Sequence, residues 1–206
     1  MLITFEGIEG SGKTTQIELL YNYLIGKKKK VIKTREPGGT PFGEILRKVF
    51  LHEHMEVYPL SELLVFMAMR AQHVEQLIRP ALKEHKIVLC DRFVDASYAY
   101  QGYGRGIDLG IIETLNRFVT KGIRPNLTIL LDCPVKEGLG RKARAASMDR
   151  FEKEDLSFHR KIRKAYEKLS KEDPKRFFVI KGTLDKNTIQ MAIRKKVEEL
   201  FTTYGI

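Results

Sequence analysis

Gly7-Ile8-Glu9-Gly10-Ser11-Gly12-Lys13-Thr14, close to the start of the chain, reads G-x-x-x-x-G-K-[ST]. Glycines at these positions let the backbone turn its N–H groups inward around an anion, and the positive end of a following helix adds to the attraction. The motif therefore needs a strand before it and a helix after it. Leu2-Ile3-Thr4-Phe5 is a short apolar, partly β-branched run suited to a buried strand, and Ile17, Leu20, Tyr21 and Leu24 fall at helical spacing. Lys13 then reaches the β- and γ-phosphates of ATP or GTP while the Thr14 hydroxyl ligates Mg²⁺. Gly7, Glu9, Gly10, Ser11, Gly12, Lys13, Thr14 and Thr15 form the expected triphosphate cradle. A glycine turn that binds nothing is the alternative; four specified positions recur by chance in roughly one chain in a hundred of this length, and the flanking elements make coincidence rarer.

Outward from this loop, short apolar strands alternate with helical patterns. Residues 30–34, 86–90, 127–131 and 177–180 predict four further strands. Helices are predicted over 41–51, from Ser61 as N-cap to Leu82, over 94–101 and 108–120, and on the faces Phe158/Ile162/Ala165/Tyr166/Leu169 and Ile189/Ile193/Val197/Leu200. Alternation of this kind means a parallel sheet covered on both faces, an α/β fold of about five strands built on a phosphate loop.

The 206 residues, 43% hydrophobic, support a sizeable core, and no linker-like composition break divides them, so one domain over residues 1–206 is expected. No apolar run approaches a membrane span and no signal-peptide pattern opens the chain, which predicts a cytoplasmic protein without a membrane partner. Cys90 and Cys133 are too few for a disulfide framework and are read as small buried residues. The net charge of +11 could indicate nucleic-acid binding. The charges are spread along the chain, however, and the one dense run, Lys27–Lys30, follows Gly26 at an expected helix end. It is read as a solvated turn, and the field as steering small anionic substrates.

Asp91 ends an apolar strand, where a carboxylate organises Mg²⁺ and its waters; capping the next helix is its plainer role. Arg35 and Arg92 are placed on loops at the carboxyl ends of strands, each able to grip a second phosphate group in bidentate fashion. Together they point to a phosphorylated acceptor. His52-Glu53-His54 lacks a third metal partner at recognisable spacing, and His73, His85 and His159 are likewise read as solvated.

Gly7 to Thr14, Arg35-Glu36-Pro37-Gly38-Gly39-Thr40, Phe66 with Arg70, Asp91-Arg92-Phe93, Ala99-Tyr100-Gln101-Gly102 and Asp149-Arg150-Phe151-Glu152 occur in the order found in thymidylate kinases. The chain resembles that family over essentially its whole length. The resemblance implies the nucleoside monophosphate kinase fold, a five-stranded parallel sheet with a mobile lid (about residues 136–150), a homodimer, and transfer of the γ-phosphoryl group of ATP to dTMP.

By matching position, Phe66 would stack on thymine and Arg70 would bond its O4, an arrangement that rejects the amino group of cytosine. Packing within a long helix is the plainer role for Phe66. Tyr100 would lie against the sugar and exclude a 2′-hydroxyl. Ser97 and Gln101 would meet the base edge, Glu9 the 3′-hydroxyl side, and Arg35 and Arg92 the dTMP phosphate. Ala96 stands where many relatives carry Ser. In one branch of the family an arginine stands within the phosphate loop; here Gly10 holds that position. The transition-state cation is then expected from the lid, from Arg141, Lys142 or Arg144, with small residues Gly140, Ala143, Ala145 and Ala146 letting that segment fold tightly and Arg150 serving structure. Another nucleoside monophosphate kinase, or a phosphate-loop switch, is the competing function.

Overall fold

In the computed structural model, which describes residues 1–52, 55–142 and 149–205, five short apolar runs line up as one sheet. They are β1 (Leu2–Glu6), β2 (Val31–Arg35), β3 (Ile87–Asp91), β4 (Leu127–Asp132) and β5 (Phe177–Lys181). Every pairing is parallel and the order is β2-β3-β1-β4-β5. The connecting helices are α1 (Lys13–Gly26), α2 (Pro41–His52), α3 (Pro59–His73), α4 (Arg79–Lys83), α5 (Val94–Ser97), α6 (Leu109–Val119), α7 (Val135–Lys142), α8 (Leu156–Glu172) and α9 (Lys186–Tyr204). This is the α/β class that the alternation of strand and helix patterns predicts.

Strands buried on both faces need apolar side chains at successive positions, which is why they read as continuous runs. Ile3 and Phe5 pack with Ile129, Leu131 and Ile180 against Ile17, Leu20 and Leu24 of α1 and Ile193 and Val197 of α9. On the other face Leu2, Val88 and Cys90 meet Val74, Ile78 and Ala81, while Leu130 and Cys133 join Phe158, Ile162 and Tyr166 of α8. Cys90 and Cys133 are buried free thiols. The sheet order reverses about β1, so the loop after β1 opens at the switch point where ligands bind in open parallel sheets. Register brings partners to that edge: Asp91 stands opposite both Phe5 and Arg35.

Three local readings change. Ser61 lies inside α3, whose N-cap is Tyr58, because Pro59 fits the first helical position, where no N–H is required. The single long helix predicted to Leu82 is instead α3, a π-helical turn over Val74–Ile78, and α4. Pro80 explains the change of pitch, since it has no N–H to offer the Gln76 carbonyl. The helix predicted over 94–101 becomes α5 followed by a π-helical stretch, Tyr98–Gly104. Side-chain caps close other helices: Asp108 accepts from Gly110 N and Ile111 N, and Asp155 from Phe158 N. Among the described residues no helix is long and apolar enough to cross a membrane.

Candidate active site

After β1 the chain turns through Gly7, Gly10 and Gly12 at φ of 137°, 69° and 100°, a region that side chains disfavour. Gly10 carries a second constraint. A Cβ there would lie 1.9 Å from the Gly138 carbonyl oxygen of α7, and one on Gly138 would lie 2.4 Å from the Glu9 carbonyl oxygen. Lys13 Nζ curls back over the loop and donates to Gly7 O at 3.1 Å and Ile8 O at 2.9 Å. Burial and then the Arg92 charge push this ammonium down to about 8, against the pull of Asp91, Glu9 and Glu6. Thr14 Oγ1 donates to Asp91 Oδ2 at 3.1 Å. A hydroxyl and a carboxylate side by side fit Mg²⁺, which takes one or two protein oxygens and completes its shell with phosphate and water. Among the described residues no cluster of three or more His, Cys, Asp or Glu forms an all-protein metal cage.

Facing this loop across a cleft of about 1350 Å³ stand Arg35, Arg47, Arg92, Phe66, Arg70 and Tyr100. Arg92 follows β3 directly, at φ 67°, which swings its guanidinium inward. Its Nη1 donates to Gly7 O at 2.9 Å and to the Tyr166 hydroxyl at 3.1 Å, and its Nη2 to Glu9 Oε1 at 2.9 Å. The Tyr100 hydroxyl bonds the same Glu9 oxygen. Burial pushes the Glu9 carboxyl up, but Arg92 and the neighbouring donors outweigh it and hold it well below the usual carboxylate range. Behind them Glu6 accepts from Phe93 N and Tyr166 Oη, and burial and then Asp95 push its carboxyl up to about 7.

Arg35 is the last residue of β2 rather than part of a loop, and pairs with Glu44 of α2 at 2.7 Å while half-exposed. Arg47, one turn on from Glu44, donates to Pro37 O at 2.6 Å. Burial and then Arg35 lower its affinity for its proton. The sequence reading missed Arg47; its signal is helical spacing, since Gly43, Arg47 and Phe50 share one side of α2.

Phe66 is half-buried, with Phe50 5.0 Å from it edge-on and Phe151 5.9 Å away, and it forms part of the cleft wall. Arg70 is almost fully buried and makes four hydrogen bonds. Nε donates to Glu36 Oε2 at 2.7 Å, Nη1 to Ser97 Oγ at 2.8 Å and Asn116 Oδ1 at 2.6 Å, and Nη2 to Phe93 O at 2.8 Å. Of the five guanidinium hydrogens, one on Nη2 has no partner among the described residues. Gln101 Nε2 donates to Glu62 Oε1 at 2.9 Å, and Glu62, fully buried, also meets Arg105 and Arg150. Ser97, Gln101 and Ala96 all border the cleft.

His73 and His159 are fully buried, against the expectation that they are solvated. His73 follows Arg70 by three residues, so one face of α3 delivers both to Glu36, which His73 Nδ1 meets at 3.0 Å. Burial alone would raise the Glu36 carboxyl; Arg70 and His73 reverse this and lower it. His85 is exposed, and Glu53 and His54 lie outside the described residues.

At the lid end, Arg141 Nη1 donates to Gly182 O at 3.0 Å and to Gly10 O at 3.4 Å. Lys142 is held by Glu152 at 2.8 Å. Arg144, with Ala143, Ala145 and Ala146, lies outside the described residues. The glycine pressed against the phosphate loop is Gly138, while no protein atom among the described residues lies within 4 Å of a Cβ on Gly140. Arg150 stacks on Phe50 at 4.8 Å and meets Glu62 at 3.6 Å.

A parallel 2-3-1-4-5 sheet with a phosphate loop at its switch point, facing an arginine-lined second site across one cleft, defines a phosphate-loop nucleoside monophosphate kinase. Residues 5–193 match the family model described as thymidylate kinase. The chain is 48% identical over 202 residues to the thymidylate kinase of Geotalea uraniireducens (strain Rf4), covering 95% of each chain. It is 46% identical over 196 residues to that of Kosmotoga olearia, covering 95% of this chain and 94% of the other. The crystal structure of thymidylate kinase from Ehrlichia chaffeensis superposes with a TM-score of 0.80 at 38% identity, covering 96% of this chain and 98% of that one. The chain belongs to the thymidylate kinase family.

Proposed function

We propose that this enzyme transfers the γ-phosphoryl group of ATP to dTMP, forming dTDP and ADP. The observation that carries the reading is a single cleft with the phosphate loop at one end and Phe66, Arg70 and Tyr100 at the other. Its volume, about 1350 Å³, exceeds the roughly 300–1,000 Å³ typical of a one-ligand site and suits two nucleotides end to end.

The residues take these roles. Loop amides from Gly10 to Thr15 cradle the donor phosphates, and Lys13, released from its carbonyl contacts, follows the migrating charge. Thr14 and Asp91 would hold Mg²⁺ or its waters, and the ion, when bound, neutralises charge on the donor phosphate oxygens. Arg92 and Arg35, with Arg47 beside them, receive the acceptor phosphate and align it for in-line attack. Phe66 offers a flat apolar face to thymine, and the one unpartnered Arg70 hydrogen reaches its O4. Tyr100, fixed by Glu9, closes the space a 2′-hydroxyl would need. Arg141, and Arg144 beyond the described residues, supply the cation that Gly10 lacks.

The same reading makes the protein a cytoplasmic enzyme, in keeping with two buried free thiols, and a homodimer acting on small molecules rather than on nucleic acid or membrane. For the dimer, α3 packs between α2 and α6, and these helices expose Phe42, Ile45, Leu60, Leu64, Ile111 and Phe118. ADP release measured against dTMP, dUMP, dCMP, ribosylthymine monophosphate, AMP and GMP tests the activity. The greatest kcat/KM is expected for dTMP; faster turnover of dCMP or AMP, or ATP turnover stimulated by DNA or RNA alone, overturns it.

A further inference from the structure

The two oxygens of Glu9 are served unequally. Oε1 accepts from Arg92 Nη2 at 2.9 Å and from the Tyr100 hydroxyl. Oε2 is buried and has no hydrogen-bond partner among the described residues. Opposite it stands His159, with Nδ1 3.4 Å away. His159 is fully buried, and neither of its ring nitrogens has a hydrogen-bond partner among the described residues. Buried polar groups are almost always bonded, so an imidazole and a carboxylate oxygen facing each other in this condition call for an explanation.

Helix α8 supplies one. Its N-cap Asp155 and the packing of Phe158, Ile162 and Tyr166 fix it against the cleft. Tyr166, seven residues after His159 and so on the same face, accepts from Arg92 and donates to Glu6. One helix face therefore touches the Arg92–Glu9 pair from both sides. A neutral imidazole donates from Nδ1 without any change of charge, and a closure of about 0.5 Å makes an ordinary N–H···O bond.

We propose that His159 is a positioning residue for the acceptor nucleotide: its Nδ1–H closes on Glu9 Oε2 when the acceptor binds and fixes the plane of that carboxylate. The orientation of Glu9, and through it of Arg92 and Tyr100, then depends on α8. The inference rests on dTMP being the acceptor.

His159→Phe keeps a ring and removes both nitrogens; His159→Asn keeps a donor where Nδ1 stands. His159→Phe is expected to raise the KM for dTMP about tenfold while kcat moves less than about twofold and the KM for ATP stays unchanged. Its thermal midpoint should equal or exceed that of wild type, since an apolar ring replaces an unbonded polar one. His159→Asn should bring the KM for dTMP back to within about threefold of wild type, and His159→Phe should add nothing on the E9Q background. A KM unmoved by His159→Phe, no rescue by His159→Asn, or an undiminished effect in the double variant overturns the proposal. Wild-type enzyme that leaves dTMP unphosphorylated overturns the acceptor assignment instead. The pair is then judged by urea unfolding of the same four proteins, where additive effects of E9Q and H159F refute any contact between them.

Discussion

Arg70→Ala strips four hydrogen bonds from a guanidinium that is 3% exposed and leaves the Glu36 carboxylate buried with His73 as its partner. Removing one member of a buried ion pair costs about 3–5 kcal/mol, most of it the penalty of the charge left behind. For a chain of this size that lowers the melting midpoint by about 6–20 °C. The loss depends on pH in a definite direction. In the wild type, burial would raise the Glu36 carboxyl, but Arg70 and then His73 lower it below its unfolded value. The stability this contributes is fully present above the unfolded pKa of about 4.3 and is lost as pH falls through the lower folded value. Without Arg70, burial dominates and the folded pKa rises above the unfolded one, so the variant is penalised more as pH rises. Urea titrations at pH 8 and pH 5 should therefore show the larger destabilisation at pH 8. Equal losses at the two pH values, or a midpoint within about 2 °C of wild type, refute the buried-pair argument. The same variant tests base reading: loss of the O4 bond is worth about 1–3 kcal/mol, so the preference for dTMP over dCMP should fall about fivefold to 150-fold. An unchanged ratio means that Arg70 serves structure alone.

Lys13, pushed down to about 8 in the free protein, should make kcat/KM for ATP fall as pH rises through that value, because only the ammonium binds phosphate; a flat profile to pH 9.5 refutes it. Gly138→Ala puts a methyl 2.4 Å from the Glu9 carbonyl oxygen, so α7 must lift from the phosphate loop, and the KM for ATP should rise about tenfold with little change in that for dTMP. Equal effects on both substrates would show a global rather than a local disturbance. Arg141→Ala should lower kcat at least about tenfold with a smaller change in the KM for dTMP, since its carbonyl contacts are exchanged for phosphate only as transfer proceeds. Wild-type turnover in the variant would remove Arg141 from the chemistry.

What was legible in the sequence was local. The phosphate loop, the strand that feeds it and the helix that follows lie within the first 26 residues, and hydrophobic periodicity places the remaining strands within a residue or two. What was not legible depends on pairings across the chain. Glu36 and Arg70 are 34 residues apart, Arg70 and Asn116 are 46, and Arg92 and Glu9 are 83. No spacing rule connects such partners, so buried His73 and His159 look like any surface histidine, and the burial of Glu62 beneath Arg105 has no local sign. Gly138 was missed for a related reason. A glycine in a basic segment reads as loop composition until the partner backbone, Gly10, is known.

Those long-range pairings also decide how the cleft handles an anion. Each arginine expected at the acceptor has a carboxylate of its own: Arg35 has Glu44, Arg70 has Glu36 and Arg92 has Glu9. The three arginines alone therefore overstate the positive charge that an entering phosphate meets, since three of the carboxylates counted in the net +11 stand beside them. Arg35 and Glu44 are half-exposed, and such a pair is worth only about 0–1 kcal/mol, so exchanging Glu44 for a phosphate dianion is nearly free. The Arg92–Glu9 and Arg70–Glu36 pairs are buried, and breaking either would leave a charge with no solvent. Arg92 would then meet a phosphate with a donor that Glu9, Gly7 and Tyr166 leave free: its Nε–H and one Nη2 hydrogen have no partner among the described residues. The buried carboxylates keep Arg70 and Arg92 aimed, and the half-exposed pair at Arg35 is the one that would yield to an entering acceptor phosphate.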